Sequence, residues 1–164
     1  MVPPRDGMPF YAQVNQVNHK DVNADLTGAD EVAIGKVGDF AGGAIFSKGF
    51  DDCIAVVAIN KNKGNGILCH LQVTQYNKTA YKSQAVKDDT PVTLILQEFK
   101  DAQAAGTDFE VHIFGMYKPS AADDLVQRPA WVQESGWNDT RPNTQLYQLL
   151  YRPATRELEV HLKA

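Results

Sequence analysis

Two cysteines, Cys53 and Cys69, are all the sulfhydryl chemistry this chain carries. At most one disulfide can form, which excludes a disulfide scaffold, and without a Cys-x-x-Cys spacing a dithiol redox motif is excluded as well. The four histidines, His19, His70, His112 and His161, are scattered singly. Soft ligands are therefore too few for a zinc site, and neither a metal nor a cofactor is expected. Hydrophobic runs are short, and none approaches the roughly 20 residues that a membrane-spanning helix needs. The opening Met1-Val2-Pro3-Pro4-Arg5-Asp6-Gly7 lacks the apolar core of a Sec signal peptide. The expectation is a protein kept in its producer's cytoplasm, or exported as an effector by a route that reads no such signal. Positive charge is also in short supply: 16 Lys and Arg stand against 20 Asp and Glu, a net charge of −4. With no basic stripe to offset this, nucleic acid is not an expected partner, and neither is a membrane. Glycine is present in Gly42-Gly43 and Lys63-Gly64-Asn65-Gly66, but neither stretch has the spacing of a phosphate-binding loop before a helix, and both read as turns.

What the chain does have is an ordinary globular composition over 164 residues, with 43% hydrophobic and 22% charged positions. That is enough for a single domain, 1–164, with a real core. Residues 1–30 are mostly loop in character, with a short strand candidate at Phe10–Val14. Glu31–Val37 alternates polar and apolar residues like a half-buried strand, and Gly38–Gly43 breaks it. Short strand signals follow at Ala44–Ser47, Cys53–Ile59 and Gly66–Leu71, the last two joined by turn chemistry in Asn60–Gly66. Thr90 and Pro91 suit a helix start, and Val92, Ile95, Leu96, Phe99 and Ala102 recur at helical spacing. With Gly106 as a stop, this predicts a helix over about 90–105. A strand over Phe109–Tyr117 follows, then an irregular stretch 118–143 with Trp131 and Trp137 and a helical turn near Ala121–Leu125. A last strand pair comes at Gln145–Tyr151 and Glu157–Leu162. The fold class read from this order is α+β, a layered α/β sandwich of mixed β-sheets with helix cover.

Cys53 and His70 are the residues with most chemical promise. Each sits near one end of what reads as a β-hairpin, and a thiol beside an imidazole is a nucleophile–base couple: the ring takes the S–H proton and the thiolate attacks a carbonyl carbon. The bland readings are a small buried apolar residue for Cys53 and a satisfied structural histidine for His70. Cys69 reads as core, because neighbouring strand residues point to opposite faces, and a Cys53–Cys69 disulfide stays open as an alternative. His112 reads as facing solvent or a partner sheet. Glu31, Asp39, Asp51, Asp52 and Glu110 read as solvated carboxylates, since no spacing forces them into pairs. Trp131 and Trp137 suit a recognition lid and a plug for the sandwich equally well.

The order of these pieces resembles the bacterial chemoreceptor glutamine deamidases (CheD), and its Cys–His core is similar to that of cytotoxic necrotizing factor and the Burkholderia lethal factor. The matching text is Cys53-Ile54-Ala55-Val56, Gly66-Ile67-Leu68-Cys69-His70, Leu94-Ile95-Leu96-Gln97-Glu98-Phe99 with Ala104-Ala105-Gly106, and Val111-His112-Ile113-Phe114-Gly115. It covers about 40–120, and the seventeen-residue Cys-to-His interval with this element order is its specific part. The resemblance implies a CheD-like fold, Cys53 as nucleophile and His70 as general base. It also implies a hydroxyl residue six positions before the cysteine that orients the histidine, and Ser47 stands there. The implied reaction is hydrolysis of a protein glutamine to glutamate through a thioester, with backbone N–H groups around Asp52 and Cys53 as the oxyanion hole. The implied partner is a protein presenting a glutamine, as for a bacterial toxin or effector.

The chain departs from the family at Asp51-Asp52, where small residues precede the family's cysteine. Two carboxylates near a thiolate oppose its ionisation; at 6–8 Å and an effective dielectric near 20, each pair interacts by about 2 kcal/mol. This departure favours the rival expectation of a catalytically inactive binding or structural domain on the same scaffold. A third reading, a cysteine protease or transglutaminase, shares the thioester and differs in what resolves it.

Overall fold

In a computed structural model, residues 9–21, 25–50, 53–72, 91–115, 128–139 and 146–163 are described. They form two five-stranded sheets, one α-helix and two short 3-10 helices. The strands are β1 (Gln13–Asn18), β2 (Asp30–Glu31), β3 (Val37–Phe40), β4 (Ile45–Lys48), β5 (Cys53–Asn60), β6 (Gly66–Gln72), β7 (Phe109–Gly115), β8 (Trp137–Asp139), β9 (Leu146–Arg152) and β10 (Glu157–Leu162). The helix, α1, spans Pro91–Asp101. One sheet runs β1-β10-β9-β4-β2 and the other β3-β6-β5-β7-β8. Both are mixed, because β1 on β10, β2 on β4 and β8 on β7 are parallel pairs among antiparallel ones. No described helix is long and apolar enough to cross a membrane.

Side-chain parity explains the layering. In β5, Cys53, Ala55, Val57 and Ile59 enter one core with Ile45, Leu149, Tyr151, Leu158 and Val160 of the other sheet. Ile54, Val56 and Ala58 enter a second core with Val92, Ile95, Leu96 and Phe99 of α1. The β3-β6-β5-β7-β8 sheet is thus the middle of three layers. Its central strand, buried on both faces, reads as a continuous apolar run rather than an alternating one. β7 obeys the same rule with different chemistry: Phe109, Val111 and Ile113 face the helix, and Phe114 faces the other sheet.

The β5–β6 hairpin forms where its turn residues predict. Asn60 is fully buried, and its side-chain oxygen accepts from the N–H groups of Asn62 and Lys63 at 2.9 and 3.0 Å. Gly64 takes a positive φ of 78°. Gly66 starts β6 against the Ala58 carbonyl, where a Cβ would sit 2.1 Å from that oxygen and 2.5 Å from Phe40.

Several local expectations shift. The 31–37 segment is not a strand: β2 holds two residues, and Ala33–Lys36 closes a tight turn with Lys36 N donating to Ala33 O at 3.1 Å, Gly35 having φ 80°. Of the Gly38–Gly43 stretch read as a break, Gly38–Phe40 belongs to β3, and 41–43 forms a bend after it. The Phe10–Val14 strand begins later, at Gln13, and pairs with β10. The helix ends at Asp101, so Ala102 lies beyond it and is exposed, and Gly106 belongs to the turn that follows. β8 has no counterpart in the sequence reading, and Trp137 and Trp131 pack into the helix-side core. Thr90 and the turn near Ala121–Leu125 lie outside the described residues.

Gly66→Ala should lower unfolding free energy by about 2 kcal/mol or more, since backbone rather than a flexible side chain blocks the added methyl; urea unfolding followed by tryptophan fluorescence measures it.

Candidate active site

Register fixes the relation between the two residues singled out in the sequence. Ala55 lies opposite His70, and Cys53 lies opposite Gln72, two residues further towards the open end of the hairpin. Cys53 and Ala55 share a face, so Cys53 and His70 are diagonal neighbours on one side of the sheet. Such neighbours have Cα atoms about 7–8 Å apart, within reach of long side chains. That side faces the other sheet. Cys69 points the opposite way into the helix-side core, as parity predicts, and no disulfide joins it to Cys53. Burial pushes the Cys69 thiol far up, and the nearby Asp39 carboxylate adds to this, so Cys69 stays an inert core thiol.

Ser47 comes from the opposite sheet. Ile45 and Ser47 are two apart on β4, so Ser47 points inward beside Ile45, and it is completely buried. Its Oγ lies 2.7 Å from His70 Nδ1, a hydrogen bond that joins the two sheets. The same Oγ donates to the Val32 carbonyl. A hydroxyl has one proton and a carbonyl can only accept. With the Ser47 proton committed to Val32, Oγ must accept from His70, so Nδ1 carries the ring proton. His70 Nε2 is then the bare nitrogen, the acceptor that a base requires. It has no hydrogen-bond partner among the described residues, and its ring shares a face with the thiol.

The surroundings of His70 keep it neutral. The residue is fully buried, and burial lowers its pKa to about 4 from the ordinary value of 6.5. The Phe50 ring lies against the imidazole with centroids 3.9 Å apart and planes 12° apart. The backbone of His70 is held too: its N–H donates to Lys36 O at 3.0 Å and its carbonyl accepts from Gly35 N at 2.8 Å. The Ala33–Lys36 turn is therefore the outer support of the imidazole.

The backbone of Cys53 is approached closely by β7. Gly115 has φ 122°, and a Cβ there would lie 2.6 Å from the Cys53 carbonyl oxygen. Glycine at this position lets the end of β7 close on the start of β5. Cys53 itself is 8% exposed. Asp51 and Asp52, expected to flank the thiol and to supply part of an oxyanion hole, lie outside the described residues.

A second polar cluster lies on the same inter-sheet face, and it overturns one expectation. Glu110, read as a solvated carboxylate, is fully buried and lies 2.7 Å from His112 Nε2. It also accepts from the N–H groups of Tyr11 and Ala12 at 2.7 and 2.8 Å. His112 faces the partner sheet, with Asn138 Nδ2 2.8 Å from its Nδ1. Both ring nitrogens are occupied, so His112 has no bare nitrogen to offer. The spacing carried the signal: residues two apart on a strand share a face. Phe50 and the Val32 carbonyl were not identified in the sequence either; Phe50 stands three residues before Cys53 but in a segment that reads as loop. Among the described residues, no group of three or more His, Cys, Asp or Glu side chains is arranged to hold a metal.

No protein-family model matches the chain, and no curated protein matches it. The chemistry therefore has to be argued from the arrangement itself: a thiol, a neutral imidazole whose bare nitrogen lies on the same face, and a buried hydroxyl that fixes the tautomer.

Two outcomes follow. Ser47→Ala leaves the His70 Nδ1–H and the Val32 carbonyl unpaired in the interior, and should cost about 1–3 kcal/mol of unfolding free energy. For pH, His70 is neutral in both folded and unfolded states above about 6.5. Below that, the unfolded ring takes a proton that the folded one refuses until about 4. Stability should therefore fall as pH drops through this window, by up to about 3 kcal/mol. His161, whose pKa burial also lowers, contributes with the same sign. Urea unfolding at pH 7 and pH 4.5 should show a smaller difference in His70→Gln than in the parent protein.

Proposed function

We propose that the protein is a cysteine-dependent glutamine amidohydrolase on a CheD-like scaffold, deamidating a glutamine of a protein substrate. The observation that carries this reading is the relay from the Val32 carbonyl through Ser47 to His70, which leaves Nε2 unprotonated on the face it shares with Cys53. A buried hydroxyl spent on fixing an imidazole tautomer is what a general base needs and what a histidine serving only as filler does not.

In this reading Nε2 takes the Cys53 proton, and the thiolate adds to the side-chain amide carbon of the glutamine. Backbone N–H groups around Asp52 and Cys53 hold the developing oxyanion. The imidazolium returns its proton to the departing nitrogen, ammonia leaves, and a thioester remains. Water, deprotonated by the same Nε2, adds to the thioester; Cys53 departs as the thiol and glutamate is the product. Ser47 keeps Nδ1 protonated throughout and stabilises the imidazolium when it forms. Such an activity suits a bacterial toxin or effector whose target is a protein.

A specific observation also favours the rival reading of an inactive scaffold. Cys53 is almost fully buried, and His70 Nε2 has no hydrogen-bond partner among the described residues. Catalytic hydrogen bonds often tighten only once substrate binds, so thiol reactivity separates the two readings. In the enzyme, iodoacetamide should alkylate Cys53 with an apparent pKa well below the free-thiol value of about 8.5, and His70→Gln should remove that advantage. Alkylation that tracks an ordinary thiol and ignores His70→Gln supports the inactive scaffold. With glutamine-containing proteins as substrate, ammonia release should be abolished in Cys53→Ser while the fold is kept; release at the parent rate in that variant refutes Cys53 as nucleophile.

A further inference from the structure

We propose that Phe50 is a positioning residue for His70: its ring, stacked on the imidazole, fixes the ring plane and seals that face of the imidazole from water. The positioning role rests on His70 being the base, whereas the sealing does not.

Phe50 is 1% exposed and lies parallel to the imidazole within van der Waals distance. A histidine ring has two main degrees of freedom, rotation of the side chain about its stem and tilt of the plane. The Ser47 bond pins one ring edge at Nδ1, but a hydrogen bond at one atom still lets the plane pivot about it. A flat apolar surface against one face removes that pivot and sets where Nε2 points. The same contact excludes water from the ring, and water is what would solvate an imidazolium.

The chain's course adds a second consequence. Phe50 sits between β4, which carries Ser47, and β5, which opens with Cys53. Gly49, with φ 82°, makes the turn that brings Phe50 back into the core. Phe50, three residues before the nucleophile, is thereby packed on the base, a contact added to the β5–β6 register that already relates thiol and imidazole.

Among the described residues, charge does not offer a competing explanation. The ionisable groups on the inter-sheet face are, among the described residues, Cys53 on β5, Glu110 and His112 on β7, Tyr151 on β9 and the part-buried Tyr11, while Lys36 of the supporting turn and Lys48 of β4 are exposed. Desolvation is what depresses the His70 pKa among the described residues.

The test is an NMR titration of the imidazole nitrogens in the full chain, which needs no substrate. The parent protein should show the Nδ1–H tautomer and a midpoint in the acid range. Phe50→Ala should raise proton affinity at His70 at least tenfold and mix the two neutral tautomers. Phe50→Leu, which keeps an apolar filler, should move both readouts in the same direction by less. If Phe50→Ala does not fold, Phe50→Leu decides. An unchanged midpoint and tautomer in the folded variants overturns the proposal. The pH profile of Cys53 alkylation, recorded on the same samples, reports separately on the base. Should it ignore His70 protonation in the parent protein, the amidohydrolase reading and the positioning role fall, while the sealing of the ring is judged by the titration alone.

Discussion

The hydrogen bond between Ser47 and His70 joins two β-sheets whose facing surfaces are otherwise largely apolar. Putting a hydroxyl and an imidazole into that layer is costly unless their polar atoms find partners, because an unpaired buried donor or acceptor forfeits its hydration without return. Three of those atoms are spoken for: the Ser47 proton by the Val32 carbonyl, the Ser47 oxygen by His70 Nδ1–H, and Nδ1 by that same contact. The fourth, His70 Nε2, is not. An interior that satisfies every polar atom of a pair but one has concentrated its cost on that atom. Position makes this informative, since Nε2 belongs to a ring on the face that also carries Cys53.

The depth of the pair sets both its promise and its constraint. Burial keeps His70 unprotonated across the whole neutral range, so the base is always in its accepting form. The same burial weakens it, because an imidazole that is reluctant to hold a proton is a poorer acceptor from an ordinary thiol. Proton transfer from Cys53 then depends on the ion pair it creates: thiolate beside imidazolium in a low-dielectric layer attract each other far more strongly than in water.

Much of this was legible in the sequence, for reasons tied to particular residues. The β5–β6 hairpin announces itself through Asn60–Gly66, and α1 through Val92, Ile95, Leu96 and Phe99, since both signals are local. Placement of Cys53 and His70 on one face, and of Cys69 on the other, follows from strand parity once the hairpin is accepted. What stayed hidden depends on pairing between distant segments. β8 is three residues long and exists as a strand because β7 is there to pair with. The 31–37 alternation, which suits a strand, is overridden by Gly35 and by the backbone of His70, which together hold Ala33–Lys36 as a turn. Glu110 looked solvated because its donors, the Tyr11 and Ala12 N–H groups, lie nearly a hundred residues away.

Comparing the two buried histidines of this layer shows why only one is suited to move a proton. His112 has a carboxylate on Nε2 and an amide on Nδ1. Glu110 in turn grips the backbone at Tyr11 and Ala12, so the cluster fastens the chain's early segment across the end of the sheet, and every contact opposes motion of the ring. His70 is held just as firmly, by Ser47, Phe50 and its own backbone, yet the holding groups touch one nitrogen and leave the other. Rigidity is common to both rings, and the asymmetry belongs to one. A fixed imidazole with one committed and one uncommitted nitrogen, on the same face as a thiol, separates a candidate base from a structural fastener built of the same side chain in the same core.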